Sequence, residues 1–212
     1  MRRMVLTILM LLMAGAVFVP QARAEIITIA ITGVVDSVSD SGNYLGGNIH
    51  IGSAISGYYK YESTTLDTSP SDPVQGNYWH YASPAGIWLS VGGFNFQTNV
   101  DSVSFRIFIR NNNPSGDDIY GIDSRSNIPL SNGTSVEAMW WQLNNHTATA
   151  LNSDVLPLKP PVLSQWQEND LRLESSRMFG IIAHVTSAEV VPEPVSILLF
   201  GASMLLIRRR SR

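Results

Sequence analysis

The residues able to do chemistry are four histidines (His50, His80, His146, His184), a scatter of acids, and an aromatic set that is large for the chain's size. A zinc site needs three or four converging ligands, and these histidines are widely spaced, with no His-x-x-x-His pair and no acid pair nearby. Because the 212 residues include no cysteine, thiolate metal sites, cysteine nucleophiles and disulfide scaffolds are excluded. Serine is plentiful, but no Gly-x-Ser-x-Gly elbow presents one as a nucleophile. A glycosidase needs two carboxylates ~5 to 9.5 Å apart across a cleft. Asp117, Asp118, Asp123, Glu137 and Asp154 are the acids available for that, and nothing in their spacing selects a pair. No catalytic residue is therefore assigned, and the chain is read as non-enzymatic.

Two constellations remain. The run Asn111-Asn112-Asn113-Pro114-Ser115-Gly116-Asp117-Asp118 gathers oxygen ligands around a glycine, which would suit calcium through Asp117 and Asp118. It lacks the alternating acids and closing glutamate of an EF-hand, and an Asn/Asp-rich hairpin loop is the plainer account. No other cofactor is expected. The second constellation is aromatic: Tyr58, Tyr78, Trp79, Tyr81, Trp88, Trp140, Trp141 and Trp166. Exposed Trp and Tyr faces stack on the apolar faces of sugar rings, so Tyr78, Trp79 and Trp141 are the candidate glycan-binding residues. Aromatics on strands bury large areas, so the plainer account places most of this set in the core.

The elements that must position these residues are strands. Ile27, Ile29 and Ile31 alternate with Thr28, Ala30 and Thr32, and Ile55, Gly57, Tyr59 and Tyr61 alternate with Ser56, Tyr58, Lys60 and Glu62. Ile87, Leu89 and Val91 lead through Gly92-Gly93 into Phe94 and Phe96, the pattern of a tight hairpin. Val103 to Ile109 has one wet side carrying Ser102, Ser104, Arg106 and Arg110; Ile119 to Ile122, Val136 to Leu143, Leu171 to Leu173 and Phe179 to Val185 follow. Trp140 and Trp141 must face opposite ways. Eight or nine strands with no helical periodicity predict an all-β body, an antiparallel two-sheet β-sandwich of jelly-roll-like kind, because one open sheet would leave an apolar face uncovered.

The charges divide the chain into three parts. The front end, 1–24, carries three arginines, and the tail, 191–212, carries four arginines against Glu193, so each end is +3. The body, 25–190, holds seven bases against sixteen acids, a balance of −9 that argues against nucleic acid as a partner. The front end has the form of a secretory signal: Arg2 and Arg3, an apolar stretch from Met4 to Val19, then Ala22-Arg23-Ala24 as the cleavage site for signal peptidase. The tail has three parts in order: Val191-Pro192-Glu193-Pro194, an apolar run from Val195 to Ile207, and the basic cluster Arg208, Arg209, Arg210, Arg212. Two prolines stop an arriving strand and leave an extended segment. The run 195–207 would be ~20 Å long as a helix, marginal against a hydrocarbon core of ~30 Å.

This tail closely resembles the PEP-CTERM sorting signal of exported proteins in Gram-negative bacteria. The resemblance implies that an exosortase-type enzyme reads Pro192, Glu193 and Pro194, that the short transmembrane helix and its basic anchor hold the chain in the membrane transiently, and that the body goes to the cell surface or extracellular matrix. Such proteins are typical of bacteria that build exopolysaccharide and biofilm. The body is similar, more loosely, to the extracellular β domains found ahead of this signal, through Tyr59-Lys60-Tyr61-Glu62, Val91-Gly92-Gly93, and Asp154 to Pro157 ahead of Pro160-Pro161. The expectation is a structural or adhesive matrix protein; a carbohydrate-binding module and a polysaccharide-modifying enzyme are the alternatives.

Overall fold

The computed structural model describes residues 24–176 and 178–192. Ten strands run in sequence: β1 (Ile26–Ser39), β2 (Ala54–Glu62), β3 (Gln75–His80), β4 (Gly86–Val91), β5 (Phe94–Gln97), β6 (Phe105–Arg110), β7 (Asp118–Ser124), β8 (Ala138–Asn145), β9 (Glu168–Ser175) and β10 (Phe179–Val190). One 3-10 turn, Leu163–Gln165, precedes β9. The all-β expectation holds. Among the described residues no helix is long and apolar enough to cross a membrane, and the run 195–207 lies outside them.

The strands form a single antiparallel sheet in the order β3-β6-β7-β8-β9-β10-β1-β2-β4-β5, where two separate sheets were expected. The sheet covers its own apolar face by curling. Register shifts in β1 against β10, at Thr32/Gly33 and Val35/Ser37, bend it at the centre, as extra residues in a ladder do. Its two halves then meet. Tyr59 on β2 lies edge-on to Trp141 on β8, and Phe96 on β5 lies edge-on to Phe179 on β10. Loops cover the two outermost strands: Thr68 N–H donates to Asn77 O at 2.9 Å along β3, and Ile128 N–H donates to Gln97 O at 2.9 Å at the end of β5. Those contacts pair part of each outer edge, which limits the unpaired backbone on which chains aggregate.

The hairpin expected at Gly92-Gly93 joins β4 to β5, with φ of 56° and 82° at the two glycines. β3 was not expected. Its residues, Gln75-Gly76-Asn77-Tyr78-Trp79-His80, include weak strand formers, and only its pairing with β6 and the burial of Gly76, Tyr78 and His80 make it a strand.

The core is strongly aromatic. Tyr59, Tyr61, Phe96, Phe105 and Trp141 are almost wholly buried, and the hydroxyls of Tyr59 and Tyr120 share a hydrogen bond of 2.8 Å. Burial holds the pKa values of Tyr59, Tyr61 and Tyr120 above the ordinary value for a phenol. β1 and β10, the first and last strands, lie side by side in the middle of the sheet.

Candidate functional site

Cross-strand register aligns one row of outward side chains over five neighbouring strands: Trp79 on β3, Arg106 on β6, Asp123 on β7, Trp140 on β8 and Arg172 on β9. The row one residue over, Tyr78, Ile107, Ile122, Trp141 and Leu171, points into the core. Strand alternation thus builds the outer face directly from the burial of the inner one.

Within the outer row one unit occurs twice. The Arg106 guanidinium lies 4.9 Å from the Trp79 ring centroid, with Nη2 3.3 Å from Asp123 Oδ2. The Arg172 guanidinium lies 4.7 Å from the Trp140 ring centroid, with Nη2 3.0 Å from Asp170 Oδ2. Trp79 and Trp140 are three strands apart, so the unit repeats over ~14 Å. Both guanidiniums keep Nε away from water without a protein acceptor, so each is held by aromatic faces and one carboxylate. Tyr81, 71% exposed, extends the Trp79 surface with its ring parallel to within 2°.

Phe108 fills the space beside this row. Its ring is a second platform for Arg106, at 4.9 Å, and it lies directly over Gly121, where a Cβ would come within 2.1 Å of the ring. Glycine on β7 is what lets the ring lie flat between strands. Phe108, Arg110, Ile119, Arg125, Trp140 and Gln142 border a shallow depression of about 400 Å³ beside Arg106 and Asp123. Arg125 Nε sits 2.7 Å from Asp123 Oδ1, as an ion pair out of hydrogen-bond alignment. Four of the body's seven bases (Arg106, Arg110, Arg125, Arg172) therefore gather on one face, where they outnumber the acids Asp123, Asp170 and Glu174.

The residues singled out from sequence fall differently. Trp79 is in the row. Tyr78 faces the core and its hydroxyl donates to Asp154 O at 2.8 Å, so it offers no surface to a glycan. Trp141 is fully buried with Nε1 donating to Asn169 Oδ1 at 2.8 Å, and its neighbour Trp140 takes the outward place. Asp118 opens β7 and Asp117 lies in the loop just ahead of it, and these two carboxylates, the expected calcium ligands, engage different partners. The Asp118 carboxylate is buried and accepts the backbone N–H groups of Asn112, Ala150 and Leu151. Asp117 instead meets His146, whose other ring nitrogen meets Glu168, at 3.2 and 3.1 Å. Those two hydrogen bonds, Asp117 first, raise the His146 pKa. Among the described residues no group of three or more His, Asp or Glu side chains is placed to hold a metal ion.

A larger hollow of about 610 Å³, lined by Ser39, Arg125, Glu137, Glu174 and Ser176 among others, holds two acids. Ser176 donates its hydroxyl to Glu137 there. Of the processing residues, Ala24 and Pro192 are exposed ends of the described chain, while Ala22, Glu193, Pro194, Arg208, Arg209, Arg210 and Arg212 lie outside it. β10 stops before the tail: Val191 N–H donates to Thr28 O at 2.9 Å, and Pro192 has no N–H to continue the ladder. The arginines of the outer row were missed in the sequence. The available signal was the wet side of β6, where Arg106 and Arg110 alternate with the buried positions. No family model matches the chain, nor does any curated protein or solved structure, so the chemistry of this face rests on its own geometry.

Proposed function

We propose that the chain is an exported, exosortase-sorted protein of the cell surface or extracellular matrix, and that its body is a non-catalytic module binding an acidic exopolysaccharide. The observation that carries this reading is the twice-repeated Trp–Arg–Asp unit on the outer face. Indole rings take the apolar face of a sugar, and guanidiniums pair with carboxylate or sulfate groups along the polymer. A repeat of ~14 Å suits an extended polymer crossing several strands better than a small molecule in a pocket. The curled sheet, with two halves facing each other across Tyr59, Trp141, Phe96 and Phe179, serves as a β-sandwich, the shape suited to presenting broad outer faces.

Export and sorting rest on the two ends of the sequence: signal peptidase acting after Ala24, then an exosortase-type enzyme acting at Pro192-Glu193-Pro194. Intact mass of the protein from inner membrane, surface and medium tests this part. A species running from Glu25 to near Pro192 outside the inner membrane is expected, whereas one retaining Val195 to Arg212 only in the inner membrane overturns it. The binding part is tested on oligogalacturonate against neutral dextran. Trp140→Ala should weaken binding to the acidic oligomer by about tenfold, the loss of ~1.4 kcal/mol, and unchanged affinity would refute the assignment.

A further inference from the structure

A second aromatic and cationic patch lies on the other half of the sheet. Tyr58 on β2 is paired in register with Trp88 on β4, and their rings stack with centroids 5.2 Å apart. Lys60 Nζ sits 5.1 Å from the Tyr58 centroid and 6.0 Å from that of Trp88. Among the described residues no acid lies within ion-pairing distance of Lys60, so its charge is open to a ligand. Ser56, Ser90, Asn95 and Gln97 supply hydroxyls and amides around the two rings, bordering a depression of about 290 Å³.

The direction of this patch follows from its neighbours. Tyr59, next to Tyr58, points inward and bonds Tyr120, while its ring meets Trp141. Trp141 is in turn the neighbour of Trp140 on the first face. Tyr58 and Trp140 are thus each one residue outward from a pair that touches in the core, so the two patches look away from each other with the core between them. Between them run β10 and β1, whose outer side carries the His184–Asp36 hydrogen bond at 2.8 Å and the Thr32, Thr186 and Ser187 hydroxyls, with no aromatic bridge. The two patches hold five of the body's seven bases.

We propose that Tyr58, Trp88 and Lys60 form a second site for the same acidic polysaccharide, which makes the protein a bivalent cross-linker holding two polymer chains on opposite faces. This rests on the polysaccharide reading of the first face and adds a second, separate occupant. The polar strip on β10 and β1 gives a polymer no ring to continue along from one patch to the other, so a chain seated on one patch leaves the other to a second chain.

The test uses the protein purified from its producing cells, titrated calorimetrically with a short oligogalacturonate, and mixed with long polygalacturonate while light scattering is followed. Two oligomers per chain are expected, falling to one in Tyr58→Ala/Trp88→Ala and one in Trp79→Ala/Trp140→Ala. Each double variant still binds but no longer raises scattering. Lys60→Glu, a surface change that keeps both rings, should also abolish the second site. A single site in the native protein, untouched by Lys60→Glu and by Tyr58→Ala/Trp88→Ala, overturns the second site and leaves the first standing. No binding to the native protein overturns both.

Discussion

Acid should unfold this protein partly through His80. Its ring is packed between Phe105 and Tyr61, at centroid distances of 5.8 and 6.4 Å, with Nδ1 3.2 Å from Thr65 Oγ1 and Nε2 buried without a partner. Burial lowers its pKa from 6.5 to about 4. Between those two values the unfolded chain binds a proton that the folded chain refuses. Stability from this group is therefore complete above pH 6.5, declines as pH falls, and is lost below about 4. The full gap corresponds to roughly 3 kcal/mol at ~1.36 kcal/mol per pKa unit. Thr65 is only half-buried, so water screens the ring edge and about 2 kcal/mol is the expected loss. Urea unfolding at pH 7 and near pH 4.5, on the native protein and on His80→Phe, isolates the effect. The phenyl ring keeps the aromatic packing and cannot titrate, so groups common to both, such as His146 with its opposite sign, cancel in the difference. The native protein should lose about 2 kcal/mol more than the variant over that interval. Parallel losses would show that His80 is not held neutral by its surroundings.

Asp118→Ala strips three part-buried backbone N–H groups of their shared, buried acceptor and should cost about 2 to 3 kcal/mol in urea unfolding, with Asp118→Asn recovering part; a loss under about 1 kcal/mol would refute the account of that carboxylate. Tyr59→Phe and Tyr120→Phe each leave one buried hydroxyl unpaired and should destabilise by about 1 to 3 kcal/mol, while the double variant costs less than the sum. Gly121→Ala pushes the Phe108 ring off the sheet and takes one of the two rings from Arg106, so oligogalacturonate binding should weaken about threefold or more. Once Phe108 is already alanine, Gly121→Ala should add nothing further, and an additive loss would place its effect elsewhere.

Strand alternation is a local property, and the elements that depend on it alone were legible: β1, β2, the β4–β5 hairpin, β6 and β10 fall on the isoleucine, leucine, valine and phenylalanine periods of the sequence. β3 was not, because Gly76 and Asn77 are poor strand formers and the strand exists through its partner β6. Missing β3 also hid the alternation that separates Tyr78 from Trp79. The pair Trp140-Trp141 shows the same limit: opposite facing follows from the period, but which one is buried depends on Tyr59 and Tyr120, 82 and 21 residues before Trp141. Whether strands make one sheet or two is decided by the long-range β1–β10 and β2–β4 pairings, which composition does not encode. The Asn/Asp loop before β7 looked like a cation cradle because side-chain inventory does not reveal the distant backbone N–H groups of Ala150 and Leu151 that consume Asp118.

The adjacency of β1 and β10 sets the order in which the body can acquire its structure. β1 is synthesised first, and its partner on one side arrives after every other strand. Until residues 179–190 are available, β9 and β1 each have one open side and the sheet cannot bend at its middle. Contacts of such wide sequence separation form slowly, so the sheet stays open until its last strand is in place. Because the two strands are antiparallel, the start of β1 and the end of β10 lie at the same end of the sheet, where Val191 N–H still reaches Thr28 O.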